Sequence, residues 1–271
     1  MTDALVFLGG LARQAGAAIL EIYGGEFAVE EKADRSPLTL ADLRSHAIVS
    51  QGLHDRYPAI PILSEEGKDI PFEVRRSWSR FWLVDPLDGT KEFVKRNGEF
   101  TVNIALVEGA LPVLGVIYVP VGDRLYLADT SHGCWEIAGD HKRALHIEEP
   151  PAAQAVRVVT SRSHPSPDLA RLLALLPHHE TIIKGSAAKF CAVAAGEADF
   201  YPRLGPTSEW DTAAGQAIVT AAGGVMVDTG GQPFRYNKPD LVNGDFFAAP
   251  SLRWLEQMGL ISQRPQEVHR I

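Results

Sequence analysis

The chain has 271 residues, of which 45% are hydrophobic and 22% are charged, as is usual for a globular protein with a sizeable core. Its formal net charge of −8 argues against a general nucleic-acid binder, because such proteins usually present a basic face. A small phosphorylated substrate held by a few local cations stays compatible with this charge. No apolar stretch approaches about 20 uninterrupted residues, so we expect no membrane-spanning segment.

The two cysteines, Cys134 and Cys191, lie far apart and form no CxxC arrangement. This usage favours free thiols in a reducing compartment over a disulfide. The N-terminal stretch lacks a basic leader and predicts an amphipathic helix instead of a signal peptide. We therefore expect a cytosolic protein.

Helical periodicity covers residues 3–23 and 40–56, and the second helix is predicted to start near Thr39 or Asp42. Residues 60–67 predict a short strand that ends in acidic residues. From 79 to 139 several apolar runs are separated by turn residues, which indicates an antiparallel sheet.

The proline-rich segment 148–154 is the best candidate boundary in the chain. It divides an αβ part with the acidic motifs, residues 1–150, from a second part, residues 151–271. Strands and helices alternate in the second part, including a small-residue helix over 211–224, which favours an α/β architecture with a mixed sheet.

Three acidic sites stand out, each with an ordinary structural explanation. Glu65 and Glu66 end an apolar strand and could be solvated. Asp85 could simply start a turn at Pro86. Asp211 begins a helix, where it would be a natural N-cap.

Taken together, the acids predict a divalent-cation site. Asp85 ends a strand too apolar to be exposed, and Pro86 and Gly89 would let a tight turn aim Asp85 and Asp88 at one point with the Leu87 carbonyl between them. All-oxygen ligation favours Mg²⁺ or Mn²⁺ over zinc. Spacing alone does not decide whether Glu65 and Asp211 converge there.

A short helical turn is predicted after this motif. It begins at Thr90 and Lys91, where the N–H groups of Gly89 and Thr90 would suit a phosphate oxygen. The motif "DPLDGTKEF" therefore indicates a metal-plus-phosphate site.

The motifs "SEE", "WLVDPLDGTKEF" and "WDTAAG", in this order, resemble the inositol monophosphatase-like superfamily of metal-dependent, lithium-sensitive phosphatases. The segments "SRSH", "GS..KF" and "YPR.GPT.EWDTAAG" resemble its 3′(2′),5′-bisphosphate nucleotidase branch. The resemblance covers about residues 5–235. It implies a layered αβαβα sandwich.

The resemblance implies a set of metal ligands for two or three Mg²⁺ ions: Glu65, Asp85, Asp88, Asp211 and the Leu87 carbonyl. It implies that Asp42 pairs with the Thr90 hydroxyl to orient and deprotonate the attacking water, with Glu65 assisting. A simple helix cap is the alternative for Asp42.

The resemblance also implies substrate contacts from Glu65, Leu87, Asp88, Gly89, Thr90 and Asp211, and nucleotide-side contacts from the second part at His164, Ser186, Lys189 and Arg203. Arg203 offers a planar two-pronged donor suited to phosphate. Without the resemblance, a surface cation or a satisfied loop residue is about as good an explanation for each. Residues 185–189 read GSAAK where relatives tend to read GSSLK, which puts the base or ribose contacts in question.

The expected activity is removal of the 3′-phosphate of 3′-phosphoadenosine 5′-phosphate, or of the related phosphosulfate, by in-line attack of a cation-activated water, as part of sulfate assimilation. The alternatives are an inositol monophosphate or fructose 1,6-bisphosphate phosphatase of the same fold, and a non-catalytic cation-binding protein. A monomer or homodimer is expected. Some relatives are assigned to the cytoplasmic face of the inner membrane, so peripheral attachment stays open.

Overall fold

A large mixed sheet forms the first half of the molecule in the computed structural model, which describes residues 1–31, 37–163, 167–176 and 178–262. A short hairpin, β1 (Val29–Glu31) and β2 (Pro37–Thr39), precedes it. The sheet contains, in spatial order, β3 (Ile62–Ser64), β4 (Arg80–Asp88), β5 (Thr101–Glu108), β6 (Leu111–Val119), β7 (Arg124–Asp129), β8 (Gly133–Ala138) and β9 (His141–Leu145).

The antiparallel pairing expected for residues 79–139 is confirmed from β4 to β8, and β9 extends it beyond the predicted range. The strand at the edge differs, because β3 runs parallel to β4. The chain between them contains the short helix α3 (Phe72–Arg75), and this crossover returns it to the same end of the sheet. The ends of β3 and β4 therefore lie side by side.

Two long helices cover one face of this sheet, α1 (Asp3–Tyr23) and α2 (Leu40–Arg56), within one residue of the predicted bounds. By length and composition α1 could cross a membrane, the one such helix among the described residues. Its apolar face, which includes Leu5, Leu8 and Ala12, is buried in the core beneath the sheet. The helix thus packs as a core helix.

Among the described residues, the second half builds three small sheets and four helices. Its strands are β10 (Val156–Ser161), β11 (His179–Lys184), β12 (Tyr201–Arg203), β13 (Thr207–Ser208), β14 (Val225–Asp228), β15 (Val242–Asn243) and β16 (Phe246–Ala249). Its helices, with one that follows β4, are α4 (Thr90–Val94), α5 (Pro167–Leu173), α6 (Ala188–Ala194), α7 (Glu209–Ala221) and α8 (Leu252–Gln257). β10 and β11 are parallel, whereas β12, β16 and β14 are antiparallel, so the predicted mixture of directions is confirmed.

Helices α6 and α7 lie between the large sheet and the small sheets of the second half, which produces the predicted layered sandwich of helices and sheets. At Gly115 on β6 the approach is close, since an added Cβ would lie 2.7 Å from the Ala214 carbonyl oxygen of α7. One core cluster combines Leu83 and Ala105 of the first sheet with Ala213 and Ala217 of α7. The division of the chain at 148–154 stays a prediction, and the two parts pack through a shared core.

Candidate active site

A β-bulge in β4 shapes the centre of the site. Asp85 pairs with Asn103 and Asp88 pairs with Thr101, so Pro86 and Leu87 form an irregularity between two regular pairs. The sequence predicted that the strand ends at Asp85 and a turn follows. That boundary was wrong, because β5 continues to pair with β4 as far as Asp88.

The peptide unit between Pro86 and Leu87 is held at both ends. Its carbonyl oxygen accepts a hydrogen bond of 2.6 Å from the hydroxyl of Ser45 on α2. The Leu87 N–H donates to Asp85 Oδ1 at 3.1 Å. Asp85 is 1% exposed, so its carboxylate is fixed inside the protein at the bulge.

Three of the acids predicted from the sequence come together around this bulge. One carboxylate oxygen from each of Glu65, Asp85 and Asp211 lies within 4.8 Å of the others. Glu65 follows β3, and its N–H donates to the Val84 carbonyl at 3.1 Å, which ties it to β4. The convergence that the spacing could not decide is therefore present.

Asp88 borders this cluster from the other side of the bulge. Its Oδ2 accepts a hydrogen bond of 3.3 Å from Asn103 Nδ2, a contact that the sequence reasoning missed. Asn103 is 1% exposed and lies opposite Asp85 on β5, so the donor is part of the sheet. The pairing register, which is not visible in a single strand, is what brings it to Asp88.

Burial and mutual repulsion raise the pKa values of these carboxyls. Burial is the main cause for Asp85, whose pKa lies well above its usual value, and the charges of Glu65, Asp88 and Asp211 add to it. Burial and the Asp88 charge raise the pKa of Asp211 to about 8. The Asp88 pKa is raised by burial and is held back by Lys189. Without a cation, the cluster therefore holds protons at neutral pH.

The donor set fits a hard divalent cation, because it consists of carboxylate oxygens that lose their mutual repulsion when a cation lies among them. Sulfur and imidazole ligands, which zinc prefers, are absent from this group. The acidic cluster could thus bind a metal such as Mg²⁺.

Asp42 and Asp211 are presented in the same way, each at the third position of a helix. The Thr39 N–H donates to Asp42 Oδ2 at 2.8 Å, and the Ser208 N–H donates to Asp211 Oδ2 at 2.7 Å. The reading of Asp211 as an N-cap was wrong, because Ser208 is the N-cap and Asp211 completes a capping box. Each aspartate has one oxygen anchored to its own helix.

The expected contact between Asp42 and Thr90 is present. Thr90 Oγ1 lies 3.1 Å from Asp42 Oδ1 and 3.3 Å from the Leu87 carbonyl oxygen. Asp42 is thus both a helix cap and the partner of Thr90, so the two readings of this residue are compatible. Gly89 adopts φ +91°, which favours glycine, and lets the chain leave the bulge into α4.

The second half contributes a cationic wall. Lys189 is 5% exposed and donates to the Ser186 carbonyl at 2.5 Å, and burial lowers its pKa to about 8. Arg203 donates to the Pro206 carbonyl at 2.9 Å, while its buried Nε has no hydrogen-bond partner among the residues that the structure describes. Ser186 itself adopts φ +46°, an uncommon conformation for a residue with a side chain. His164 lies outside the described residues.

One cavity of about 230 Å³ joins these groups. The predicted residues that line it are Glu65, Asp85, Leu87, Asp88, Gly89, Thr90, Ser186, Lys189, Arg203 and Asp211. The sequence reasoning missed other lining residues, including Glu92, Ser161, Tyr201 and Phe246. Glu92 lies within the quoted "TKEF" motif, which was the available signal for it.

The sequence model of the Inositol monophosphatase family matches residues 2–269. The chain belongs to the inositol monophosphatase family.

Relatives within this family carry a more specific name. The chain is 49% identical over 229 residues to the 3′(2′),5′-bisphosphate nucleotidase CysQ of Escherichia coli strain K12, covering 83% of this chain and 91% of that protein. It is 43% identical to the CysQ of Buchnera aphidicola, covering 88% and 91%.

Solved structures agree with the fold. The structure of CysQ from Bacteroides thetaiotaomicron aligns with a TM-score of 0.78 at 44% identity, covering 88% of this chain and 94% of that one. A Thermotoga maritima inositol monophosphatase aligns with a TM-score of 0.80 at 24% identity, covering 96% of each, which speaks for the fold alone. The predicted family and the layered fold are confirmed, and the chain is a phosphatase of the inositol monophosphatase family.

Proposed function

We propose that this protein is a Mg²⁺-dependent 3′(2′),5′-bisphosphate nucleotidase that removes the 3′-phosphate of 3′-phosphoadenosine 5′-phosphate to give AMP and phosphate. The second proposed substrate is 3′-phosphoadenosine 5′-phosphosulfate, which carries the same 3′-phosphate. The observation that carries the proposal is one cavity that is lined both by the carboxylate cluster and by the cations Lys189 and Arg203. Such a cavity suits a substrate with two anionic groups, and the names of the CysQ relatives agree with it.

In this proposal two or three Mg²⁺ ions, which Mn²⁺ could replace, are held by Glu65, Asp85, Asp88, Asp211 and the Leu87 carbonyl. When bound, such cations lower the pKa of water and neutralise charge on phosphate oxygens. The protein holds these ligands rigidly in place. Asp85 is fixed by the Leu87 N–H and Asp211 by the Ser208 N–H, so the carboxylates require little reorganisation to receive cations.

Asp42 and Thr90 provide the proton acceptor. The hydroxyl of Thr90 donates to Asp42 Oδ1, which leaves Thr90 Oγ1 able to accept a proton from an attacking water while Asp42 takes up the hydroxyl proton. Asp42 Oδ2 is occupied by the backbone N–H and hydroxyl of Thr39, which fixes the direction of the carboxylate. Glu65, at the cluster, helps to orient the same water.

The second half binds the other end of the nucleotide. Lys189 and Arg203 balance the 5′-phosphate, with Ser186 as a further donor and His164 assigned by the resemblance. The N–H groups of Gly89 and Thr90, at the start of α4, would receive oxygens of the scissile phosphate.

A phosphate-release screen with Mg²⁺ tests the proposal. The substrates are 3′-phosphoadenosine 5′-phosphate, its phosphosulfate analogue, inositol 1-phosphate and fructose 1,6-bisphosphate, each with and without lithium and with an EDTA control. We expect the bisphosphate nucleotide to have the highest kcat/KM, with inhibition by lithium. A higher kcat/KM for the inositol or fructose phosphate contradicts the proposed substrate, and no turnover of any substrate contradicts a catalytic role. The cytosolic location, the peripheral attachment and the monomer-or-homodimer expectation stay predictions.

A further inference from the structure

A buried carboxylate outside the proposed hydrolytic centre joins the two halves of the chain. Glu92 lies on α4, is 4% exposed and lines the cavity. Its Oε1 accepts a hydrogen bond of 2.5 Å from the hydroxyl of Ser163, which is 71 residues away in the sequence. Ser163 follows β10 by two residues, so this bond ties the first half to the loop after that strand.

The same side chain packs against a second segment of the distant half. A Cβ added to Gly185 would lie 2.8 Å from Glu92 Cγ and 2.7 Å from the Glu99 carbonyl oxygen. Only glycine permits this approach without a shift. Glu92 therefore touches the link between β11 and α6 immediately before Ser186.

These two contacts place Glu92 beside the part of the cavity that is assigned to the nucleotide. Ser161 and Ser186 both line the cavity, and each is within two residues of a group that Glu92 contacts. The clustered carboxylates come from other elements, namely the ends of β3 and β4 and the start of α7. The charge of Glu92 also acts on Asp88. Ser163→Ala keeps that charge, so it is the change that would move the nucleotide wall and leave the acid cluster in place.

We propose that Glu92 is a positioning residue that determines specificity, whose carboxylate holds Ser163 and the 185–186 link so that the cavity accepts the nucleoside part of a bisphosphate. The inference rests on the proposed nucleotidase activity and deepens it. A charge-assisted hydrogen bond that is buried and joins distant segments is strong enough for this task.

The test compares Ser163→Ala, Glu92→Ala and Glu92→Gln with the wild type, using 3′-phosphoadenosine 5′-phosphate as substrate. We expect KM to rise about tenfold in the first two variants, with kcat within threefold of wild type. In Ser163→Ala, which keeps the Glu92 charge, the Mg²⁺ concentration for half-maximal rate should be unchanged. In Glu92→Gln the amide oxygen can still accept from Ser163, so KM should stay within about threefold of wild type. Ser77→Ala, which removes an exposed hydroxyl that donates to the Val74 carbonyl, is the matched control.

The outcomes separate the two proposals. A wild type that fails to hydrolyse the bisphosphate nucleotide overturns the nucleotidase assignment. An active wild type with unchanged KM in Ser163→Ala overturns the role of Glu92, as does a Glu92→Gln variant as impaired as Glu92→Ala. Ser163→Ala keeps the backbone and most of the packing, so it decides the question even where Glu92→Ala does not fold.

Discussion

The buried carboxylate of Asp85 illustrates how a single residue of a functional site can lower the stability of the folded protein. Its carboxylate is 1% exposed and faces the charges of Glu65, Asp88 and Asp211. Two unit charges about 4 Å apart repel by about 4 kcal/mol at an effective dielectric constant of 20. The group is therefore costly in the metal-free protein and useful once a cation is bound.

We predict that Asp85→Asn abolishes turnover without lowering the stability of the metal-free protein. Burial and repulsion force Asp85 to take up a proton in the metal-free protein, and asparagine is neutral without that cost. The amide oxygen can still accept from the Leu87 N–H. Mg²⁺-dependent phosphate release should fall at least about 100-fold, because a ligand charge is lost. Thermal unfolding in EDTA should give a Tm equal to or above that of wild type.

Asp55→Asn is the matched control, because Asp55 is exposed on α2. Among the described residues, its side chain accepts one hydrogen bond, from Gln51 one helical turn earlier. It should change neither quantity. A clearly lower Tm for Asp85→Asn in EDTA would mean that this carboxylate stabilises the fold, against the argument from repulsion.

Lys189 carries a prediction about pH. Burial lowers its pKa to about 8, so the ammonium form that would bind the 5′-phosphate is lost as the pH rises above 8. We expect kcat/KM for 3′-phosphoadenosine 5′-phosphate to fall above pH 8 through a rise in KM. Lys189→Arg should remove this fall, because guanidinium keeps its charge. A profile that is the same in both proteins would show that another group titrates.

The two anchored aspartates show what the sequence can reveal about individual residues. Thr39-x-x-Asp42 and Ser208-x-x-Asp211 both have the spacing of a capping box, and this signal could have placed both acids at the third helical position. Asp211 was instead taken as the cap, because serine and aspartate are about equally good N-caps. The sequence could not reveal contacts that depend on tertiary structure. Examples are the hydrogen bond from Asn103 to Asp88 and the hydrogen bond from Ser45 to the Pro86 carbonyl.

At the scale of elements, the local patterns were sufficient for α1, α2 and the strands from β4 to β8. Their periodicity is strong, and their bounds agree closely with the prediction except at the end of β4. The bulge in β4 was not predictable from its own residues. Whether the chain turns after Asp85 or continues to Asp88 depends on how far β5 follows it, which is a non-local matter.

Helix α7 holds Asp211 at the acidic cluster only while the helix packs closely against the first sheet. Gly115→Ala would place a methyl group 2.7 Å from the Ala214 carbonyl oxygen and from Ala217 Cβ. We expect a loss of about 1–3 kcal/mol in the free energy of unfolding. Because Asp211 would shift with the helix, the Mg²⁺ concentration for half-maximal rate should rise severalfold.

Gly10→Ala is the control for this substitution. Gly10 lies in α1, and an added Cβ there meets nothing within 4 Å. Alanine should stabilise the helix by about 0.5–1 kcal/mol and leave the Mg²⁺ dependence unchanged. Denaturant unfolding measures the free energy of unfolding, and a Mg²⁺ titration measures the Mg²⁺ dependence of the rate. Equal stability of the two variants would show that β6 and α7 can move apart without a loss of folding free energy.

At the scale of the whole molecule, the proposed metal site joins the two halves. Glu65 and Asp85 belong to the first sheet, and Asp211 to a helix of the second half. A cation bound by the native cluster would therefore stabilise the folded chain by mass action. Its effect should depend on pH, because the carboxyls must lose protons before they can serve as ligands.

The sign of this dependence follows from the raised pKa values. The pKa of Asp211 in the folded protein is about 8, whereas in an unfolded chain an aspartate titrates near 4. The metal-free folded state thus keeps a proton that the unfolded chain releases. The resulting contribution to stability is fully present below about pH 4 and is lost as the pH rises through about 8. Asp85 and Asp88 act in the same direction.

We therefore predict that the increase in Tm produced by Mg²⁺, relative to EDTA at matched ionic strength, grows between pH 5 and pH 7.5. In EDTA the folded protein loses stability over this range, because folding takes up protons that become scarcer as the pH rises, whereas Mg²⁺ replaces those protons. Carboxyls elsewhere, such as Glu136 with its pKa lowered by Arg124 and Arg143, affect both conditions equally and cancel in the difference. In Asp85→Asn the increase should be smaller at every pH. An increase that is constant or shrinks as the pH rises would place the stabilising cation away from these acids.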